Sequence, residues 1–265
     1  MALDLLRRGW KVFASSVNVD DMENLRVSGC QVLALDVTNI EDIEAAAASI
    51  GDRLDLLINN AAVEGLGPLL DTDIDRLSIM YRTNVFGPLQ IIQALSNPLI
   101  KYRGTVVNIG SVGVSGLPFH GAYASSKAAL QVISDVLRRE TVPLGVNIIT
   151  VELGMVMTAM LRAEDPFPVS LPEGQRLPYY SKWYSHLAAR YRSDIEKRYN
   201  EAMPASEAAR QIVDAVVAGL AGKIWAGSMA WFFRWIWPLL SVRRQDSINS
   251  SLLHLDMLSE PPRTS

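Results

Sequence analysis

Thr105-Val-Val-Asn-Ile109, followed by Gly110-Ser111 and then by a helical pattern that opens with Tyr123-Ala-Ser-Ser-Lys127, decides how this chain is read. A short apolar run with no polar face reads as a strand covered on both sides. The helix that follows, Tyr123 to Glu140, leads into another such run, Val146 to Val151. Working outward, the same alternation continues. Upstream lie strand-like Lys11–Ala14, Gln31–Val37 and Asp55–Asn59. Between them are helical stretches at Met1–Arg8 (closed by Gly9), Asp20–Ser28 (closed by Gly29), Asn39–Ile50 (with an acidic first turn) and Asp73 to about Leu99. Downstream, Ala205–Ala218 reads as a helix with Pro204 at its start, and Lys223–Ala226 as a short strand. Short buried strands separated by helices predict an α/β fold, a doubly wound parallel sheet in three layers.

The bulk properties agree. The 265 residues suit one α/β domain, and 49% hydrophobic against 20% charged residues leaves ample core. A net charge of −3 gives no sign of a nucleic-acid partner. Cys30 is the single cysteine, which fits a reducing compartment such as the cytoplasm. His120, His186 and His254 are scattered, with no metal-ligand spacing. Met1–Arg8 lacks the basic-then-apolar order of a signal peptide. Residues 155–203 interrupt the rhythm and are rich in Pro, Tyr, Arg and Lys, as expected of a substrate loop, with a helix expected near 181–199.

The chemistry centres on Tyr123 and Lys127. Residues four apart share one helix face, about 6 Å apart along the axis. An ammonium there favours the phenolate and brings a tyrosine towards the range of a working acid/base group. None of the other seven tyrosines has a lysine four residues on. Ser111 follows a buried strand, where a hydroxyl can meet a ligand at the carboxyl end of a parallel sheet. Asn84 lies inside a helical region, and Asn59-Asn60-Ala61-Ala62 follows another buried strand with small residues suited to close approach.

Together these residues resemble the short-chain dehydrogenase/reductase family, with a Rossmann-like fold, from residue 1 to about 228. Asn84, Ser111, Tyr123 and Lys127 match its catalytic tetrad. Asp36-Val37 resembles the pair that contacts adenine, and Asn59 to Ala62 resembles Asn-Asn-Ala-Gly, with Ala62 in place of glycine. Leu153-Gly-Met-Val-Met-Thr158 resembles the Pro-Gly-x-Val-x-Thr turn over the nicotinamide, with Leu153 in place of proline. The resemblance implies that Tyr123 exchanges a proton with the substrate oxygen and that Lys127 lowers its pKa and holds the nicotinamide ribose. Ser111 would polarise the carbonyl, and Asn84 would hold a relay water. Val156 and Thr158 would position the carboxamide. Asn60 and Ala61 would line the cofactor, and Arg82 either reaches it or is a surface charge. Leu54-Asp-Leu-Leu-Ile-Asn-Asn60 and Gly104-Thr-Val-Val-Asn-Ile-Gly-Ser111 are similar to fungal 1-acyldihydroxyacetone-phosphate reductase-like members, which implies NADP ahead of NAD. A small apolar ketone or secondary alcohol, lipid-like or of secondary-metabolite type, is the implied substrate, and a homo-oligomer packed through the Asp73–Leu99 and Tyr123–Glu140 helices the implied assembly.

The sequence also departs from the family. Members open with a strand and a Thr-Gly-x3-Gly-x-Gly turn; here Met1–Trp10 resembles the first helix already under way, as in an N-terminally truncated member. The glycines of that turn bring backbone to the pyrophosphate, and the strand would lie mid-sheet, so its loss predicts two neighbours without ladder partners. Either the start is misassigned or this form is real and binds cofactor weakly. Three readings follow: a hydride-transferring oxidoreductase, a non-redox isomerase, dehydratase or cyclase on the same scaffold, or an inactive scaffold or membrane-surface binding protein. Residues 229–265 are expected to form an apolar segment and then a polar tail with little order from Asn249. Met229–Leu240 holds three of six tryptophans and precedes Arg243-Arg244. It reads as a peripheral contact with a membrane, of the endoplasmic reticulum or a lipid droplet, or equally as a cap over the substrate pocket or a subunit interface.

Overall fold

The computed structural model describes residues 1–163, 188–253 and 255. Its elements run α1 (Ala2–Arg7), β1 (Phe13–Ser16), α2 (Glu23–Val27), β2 (Gln31–Ala34), α3 (Ile40–Ile50), β3 (Leu56–Asn59), α4 (Ile74–Tyr81), α5 (Gly87–Ala94), α6 (Ser96–Tyr102) and β4 (Thr105–Ile109). Then come α7 (Gly121–Thr141), β5 (Asn147–Leu153), β6 (Val156–Met157), α8 (Ala159–Ala163), α9 (Ala188–Glu201), β7 (Met203–Pro204), α10 (Ala205–Val217), β8 (Gly222–Ala226), α11 (Ala230–Trp235) and α12 (Val242–Leu252).

Side-chain caps start α3 and α4, whereas the helix expected from Asp20 opens as a 3-10 turn, Val19–Met22, and becomes α2 only at Glu23. Asn39 caps α3 by accepting from the amides of Glu41 and Asp42, and Asp73 caps α4 through Asp75. Gly9 turns the chain out of α1 at φ +85°, a conformation that excludes most side chains. The expected 73–99 helix is real but interrupted. Arg82–Phe86 forms one π-helical turn between α4 and α5, and Leu95 breaks the path into α6.

The parallel sheet comes in two pieces. β3, β4, β5 and β8 form a four-stranded sheet in that order, whereas β1 pairs only with β2. No ladder joins β1 to β3 among the described residues, and a third, two-stranded piece pairs β6 with β7. Side chains from β1 (Ala14) and β3 (Leu56, Ile58) instead share one apolar cluster with Leu5 of α1 and Val213 of α10.

Alternate residues of the main sheet face opposite layers. Val106 and Ile148 pack with Ile43, Ile91, Ile92 and Leu99 on one side. Val107, Ile109, Ile149 and Val151 pack with Ile212 of α10 on the other. These are the three layers expected.

Three expectations need correction. The first strand runs Phe13–Ser16 rather than 11–14, because its register is set by Gln31–Ala34. The second ends at Ala34 rather than at Val37, since the Asp36 amide turns to the Asp42 carboxylate. The region from Asn249 is not all tail: α12 carries helix through Leu252, with Asn249 and Leu253 buried. The part of the expected 181–199 helix before residue 188 lies outside the described residues.

Candidate active site

The carboxyl ends of β3, β4 and β5 open on one side of the sheet, and the candidate residues gather there. Ser111, in extended conformation, follows β4 and caps the 3-10 turn Val112–Ser115, its Oγ accepting from the Gly113 amide at 3.0 Å. The hydroxyl hydrogen is left to donate. Tyr123 enters from the first turn of α7 and is half-buried. Gly113 separates the two: a Cβ there would lie 3.1 Å from Ser111 Oγ and 3.8 Å from Tyr123 Cε1.

Lys127 lies one turn further along α7, 2% exposed. Its Nζ donates to the Ile109 carbonyl at 2.9 Å and stands 5.7 Å from the centre of the Tyr123 ring. Burial pulls the ammonium down from its usual range to about 8, with the Glu64 carboxylate opposing. Sequence reasoning did not select Glu64; a half-buried loop residue four positions past Asn60 carries no signal of its own.

Asn84 is wholly buried in the π-helical turn. Its Oδ1 accepts from the Val63 amide at 2.8 Å, and its Nδ2 donates to the Val63 carbonyl at 2.9 Å and to Ser126 Oγ at 3.0 Å. Both side-chain donors are thus spent on clamping the loop after β3 to α7. The amide NH2 is thereby occupied by protein partners. A second buried chain, also unforeseen, ties the same elements: Asn59 Nδ2 donates to Asn108 Oδ1, and Asn108 Nδ2 to Ser134 Oγ, each at 2.8 Å.

The remaining candidates form the rim. Asn60 and Ala61 are exposed at the end of β3. Asp36 Oδ1 accepts from the amide and the hydroxyl of Thr38, both at 2.8 Å. Val37 is a core residue, packed so tightly on Gly87 that a Cβ there would meet it at 2.9 Å; only its backbone can face a ligand. Val156 is buried in β6, and Thr158 is exposed, its Oγ1 accepting from Leu161 at 3.3 Å. Arg82 is exposed and lines an outer hollow with Leu77, Ser78, Tyr81 and Phe86. None of the tetrad lines that hollow. Among the described residues no cluster of His, Cys, Asp and Glu could hold a metal.

Residues 1–167 match the family model for short chain dehydrogenases. The chain belongs to the short-chain dehydrogenase family. It is 35% identical over 240 residues to short-chain dehydrogenase PC-15 of Penicillium crustosum, covering 88% of this chain and 85% of the relative. It is 32% identical over 205 residues to the NADPH-dependent 1-acyldihydroxyacetone phosphate reductase of Schizosaccharomyces pombe, covering 74% of this chain and 68% of that one. The fold matches a short-chain dehydrogenase from Streptomyces avermitilis at a TM-score of 0.71 and 23% identity, over 97% of this chain and 92% of that one. A short chain dehydrogenase from Burkholderia cenocepacia in complex with NADP aligns at 0.66 and 24% identity, over 98% and 92%. The chain is therefore a member of an oxidoreductase family with the family's parallel α/β architecture.

Proposed function

We propose that this protein moves hydride between a nicotinamide cofactor, NADPH ahead of NADH, and an apolar ketone or the matching secondary alcohol, lipid-like or of secondary-metabolite type. The observation that carries the reading is the convergence of Ser111, Tyr123 and the buried Lys127 at the end of β4. Ser111 holds the substrate oxygen through its free hydroxyl hydrogen. Tyr123 delivers a proton to that oxygen, or takes one in the reverse direction. Lys127, as an ammonium, makes the tyrosinate less costly. Asn84 fixes the geometry through Val63 and Ser126.

The residues fit the nicotinamide half of such a cofactor. Lys127 spends one donor on Ile109, so a nearly inaccessible ammonium keeps two donors for a bound diol. Asn60, Ala61, Val156 and Thr158 would complete that side, and Asp36 with the Val37 backbone would meet the adenosine. The cofactor supplies the hydride. NADPH is favoured by what the Schizosaccharomyces pombe relative's name states.

We read residues 1–228 as the cofactor-binding domain, including a substrate loop at about 155–203, and residues 229–265 as an appended segment. Exposed Ile74, Ile79 and Phe86 with Val132 and Val136 of α7 offer apolar faces for a homo-oligomer. The cytoplasm is the proposed location, with peripheral membrane contact through Met229–Leu240. Calorimetric titration with NADPH and NADH, followed by an apolar-ketone screen of wild type and Tyr123→Phe, tests the reading. Micromolar NADPH binding and turnover that disappears in the variant are expected; a folded chain that binds neither cofactor refutes it.

A further inference from the structure

The aromatic segment after β8 has two unlike sides. Phe232, Phe233 and Trp237 turn inward and pack on one another, with ring centres 5.4–6.2 Å apart and Trp237 only 8% exposed. Trp231 and Trp235, one turn apart on α11, are each 61% exposed, and Leu239 and Val242 continue outward at 81% and 72%. Trp231 meets the Phe232 ring edge-on at 6.2 Å, yet it and Trp235 keep most of their surface outward, more than the packing of the segment uses. Basic groups accompany them. The Arg234 guanidinium lies 4.6 Å from the Trp235 ring, and Arg243 and Arg244 open α12 beside Val242, all exposed. Residues 229–253 hold three arginines against one aspartate, Asp246, in a chain of net charge −3.

We infer that the face made by Trp231, Trp235, Leu239 and Val242, with Arg234, Arg243 and Arg244, docks on an anionic phospholipid surface. Large exposed tryptophans beside basic residues suit the headgroup boundary, where indole is half in lipid and arginine meets phosphate. No helix among the described residues is long and apolar enough to cross a membrane, so the segment lies on the surface. A second copy of the chain is the less fitting occupant: a like-charged arginine face repels itself, and separate apolar faces on α4 and α7 serve self-association. The location has a consequence for substrate entry, which rests on the apolar-carbonyl reading above. α11 packs on β8 and on the Val112–Ser115 turn that Ser111 caps, and Ser228 pairs with Met155 beside Val156. Docking therefore sets the catalytic turn down beside the bilayer, and an apolar ketone dissolved in lipid reaches Ser111 and Tyr123 without crossing bulk water.

Flotation of the full chain with 100 nm vesicles tests this without requiring turnover. The chain is expected to float with phosphatidylcholine vesicles containing about one-third phosphatidylserine at low salt, and to release at 0.5 M salt, where screening shortens to a few ångströms. Arg243→Glu with Arg244→Glu is expected to weaken binding by about 25-fold or more, from about a fivefold contribution per basic residue. Trp231→Ser with Trp235→Ser is expected to abolish binding even at low salt. All four positions are exposed, and circular dichroism verifies the fold of each variant. Failure of the folded wild type to float, equal binding to pure phosphatidylcholine, or a tryptophan pair whose loss only dissociates an oligomer in sedimentation would overturn the inference. Vesicle binding without turnover of any ketone would leave docking standing and refute the oxidoreductase reading instead.

Discussion

Lys127→Met isolates the cost of holding an ammonium in the core. The fall from 10.5 to about 8 corresponds to about 3 kcal/mol of destabilisation at neutral pH, at roughly 1.4 kcal/mol per tenfold change. The unfolded chain keeps this proton up to about pH 10.5, whereas the folded chain keeps it to about pH 8. Between those values the unfolded state binds more protons, so stability rises with pH, and the penalty is complete below the lower value. Methionine fills the stem but cannot titrate. The variant also loses the bond to the Ile109 carbonyl, worth roughly 1.5–3 kcal/mol. That loss shifts both ends of the pH range alike and leaves the slope as the signal. Urea unfolding followed by tryptophan fluorescence at pH 7, 8, 9 and 9.5 reads it. The stability of wild type minus that of Lys127→Met should increase by about 2 kcal/mol from pH 7 to 9.5. A difference flat to within about 0.5 kcal/mol would refute the burial argument and, with it, the claim that a desolvated ammonium stands beside Tyr123.

Other substitutions probe the rest of the site. Tyr123→Phe should lower kcat/KM for an apolar ketone by about 10²–10⁴ while leaving NADPH affinity unchanged in calorimetry; retained turnover would remove Tyr123 from the mechanism. Asn84→Ala strands the Val63 amide and carbonyl, while the Ser126 hydroxyl keeps its bond to the Tyr123 carbonyl, and should cost about 2–4 kcal/mol in urea unfolding; a neutral effect would show that the clamp is not needed. Gly154→Ala drives a Cβ into the Ser228 carbonyl, so the melting temperature should fall by roughly 5–10 °C as the Met155–Ser228 bridge opens. In hydrogen exchange, amides of β1 and β3 that face the unpaired edges should exchange at least about tenfold faster than those of β4, which is paired on both sides; equal protection would show that the two sheets are joined.

The elements that could be read from the sequence are those whose physics is local or strongly patterned. β4 falls at Thr105–Ile109 as expected, because a strand buried on both faces has an unbroken apolar run. α3 starts after Asn39 because that side chain caps it. What escaped the sequence depends on partners far along the chain. The π-helical turn at Arg82–Phe86 keeps the helical apolar rhythm, so nothing local marks it, yet it is what turns Asn84 inward to Val63 and Ser126. The tail helix α12 is polar on most faces, and its order comes from burying Leu253 at its end and from the Gln245 amide donating to the Trp237 and Leu240 carbonyls. Arg82 and Asn84 stand two residues apart in one motif. Only the folded turn shows that one faces the outer hollow and the other the core.

The two halves of the proposed cofactor site hang on different sheets. Asn59, Ser111 and, through Ile109, Lys127 are fixed to β3 and β4, with β4 held by ladders on both sides. Asp36 and Val37 follow β2, whose only ladder among the described residues is with β1. What joins the halves is side-chain contact: Val37 on Gly87 at the head of α5, and Ala14 in one cluster with Leu56 and Ile58. Packing of this kind resists separation but tolerates sliding far better than a row of backbone hydrogen bonds, which fix register residue by residue. The geometry proposed for proton transfer at Tyr123 therefore rests on the stiffer piece of the sheet, and the residues proposed to face adenosine rest on the more compliant one. A ligand touching both halves must pay to fix their relation, whereas one touching only the Ser111–Tyr123–Lys127 end finds its partners already in place.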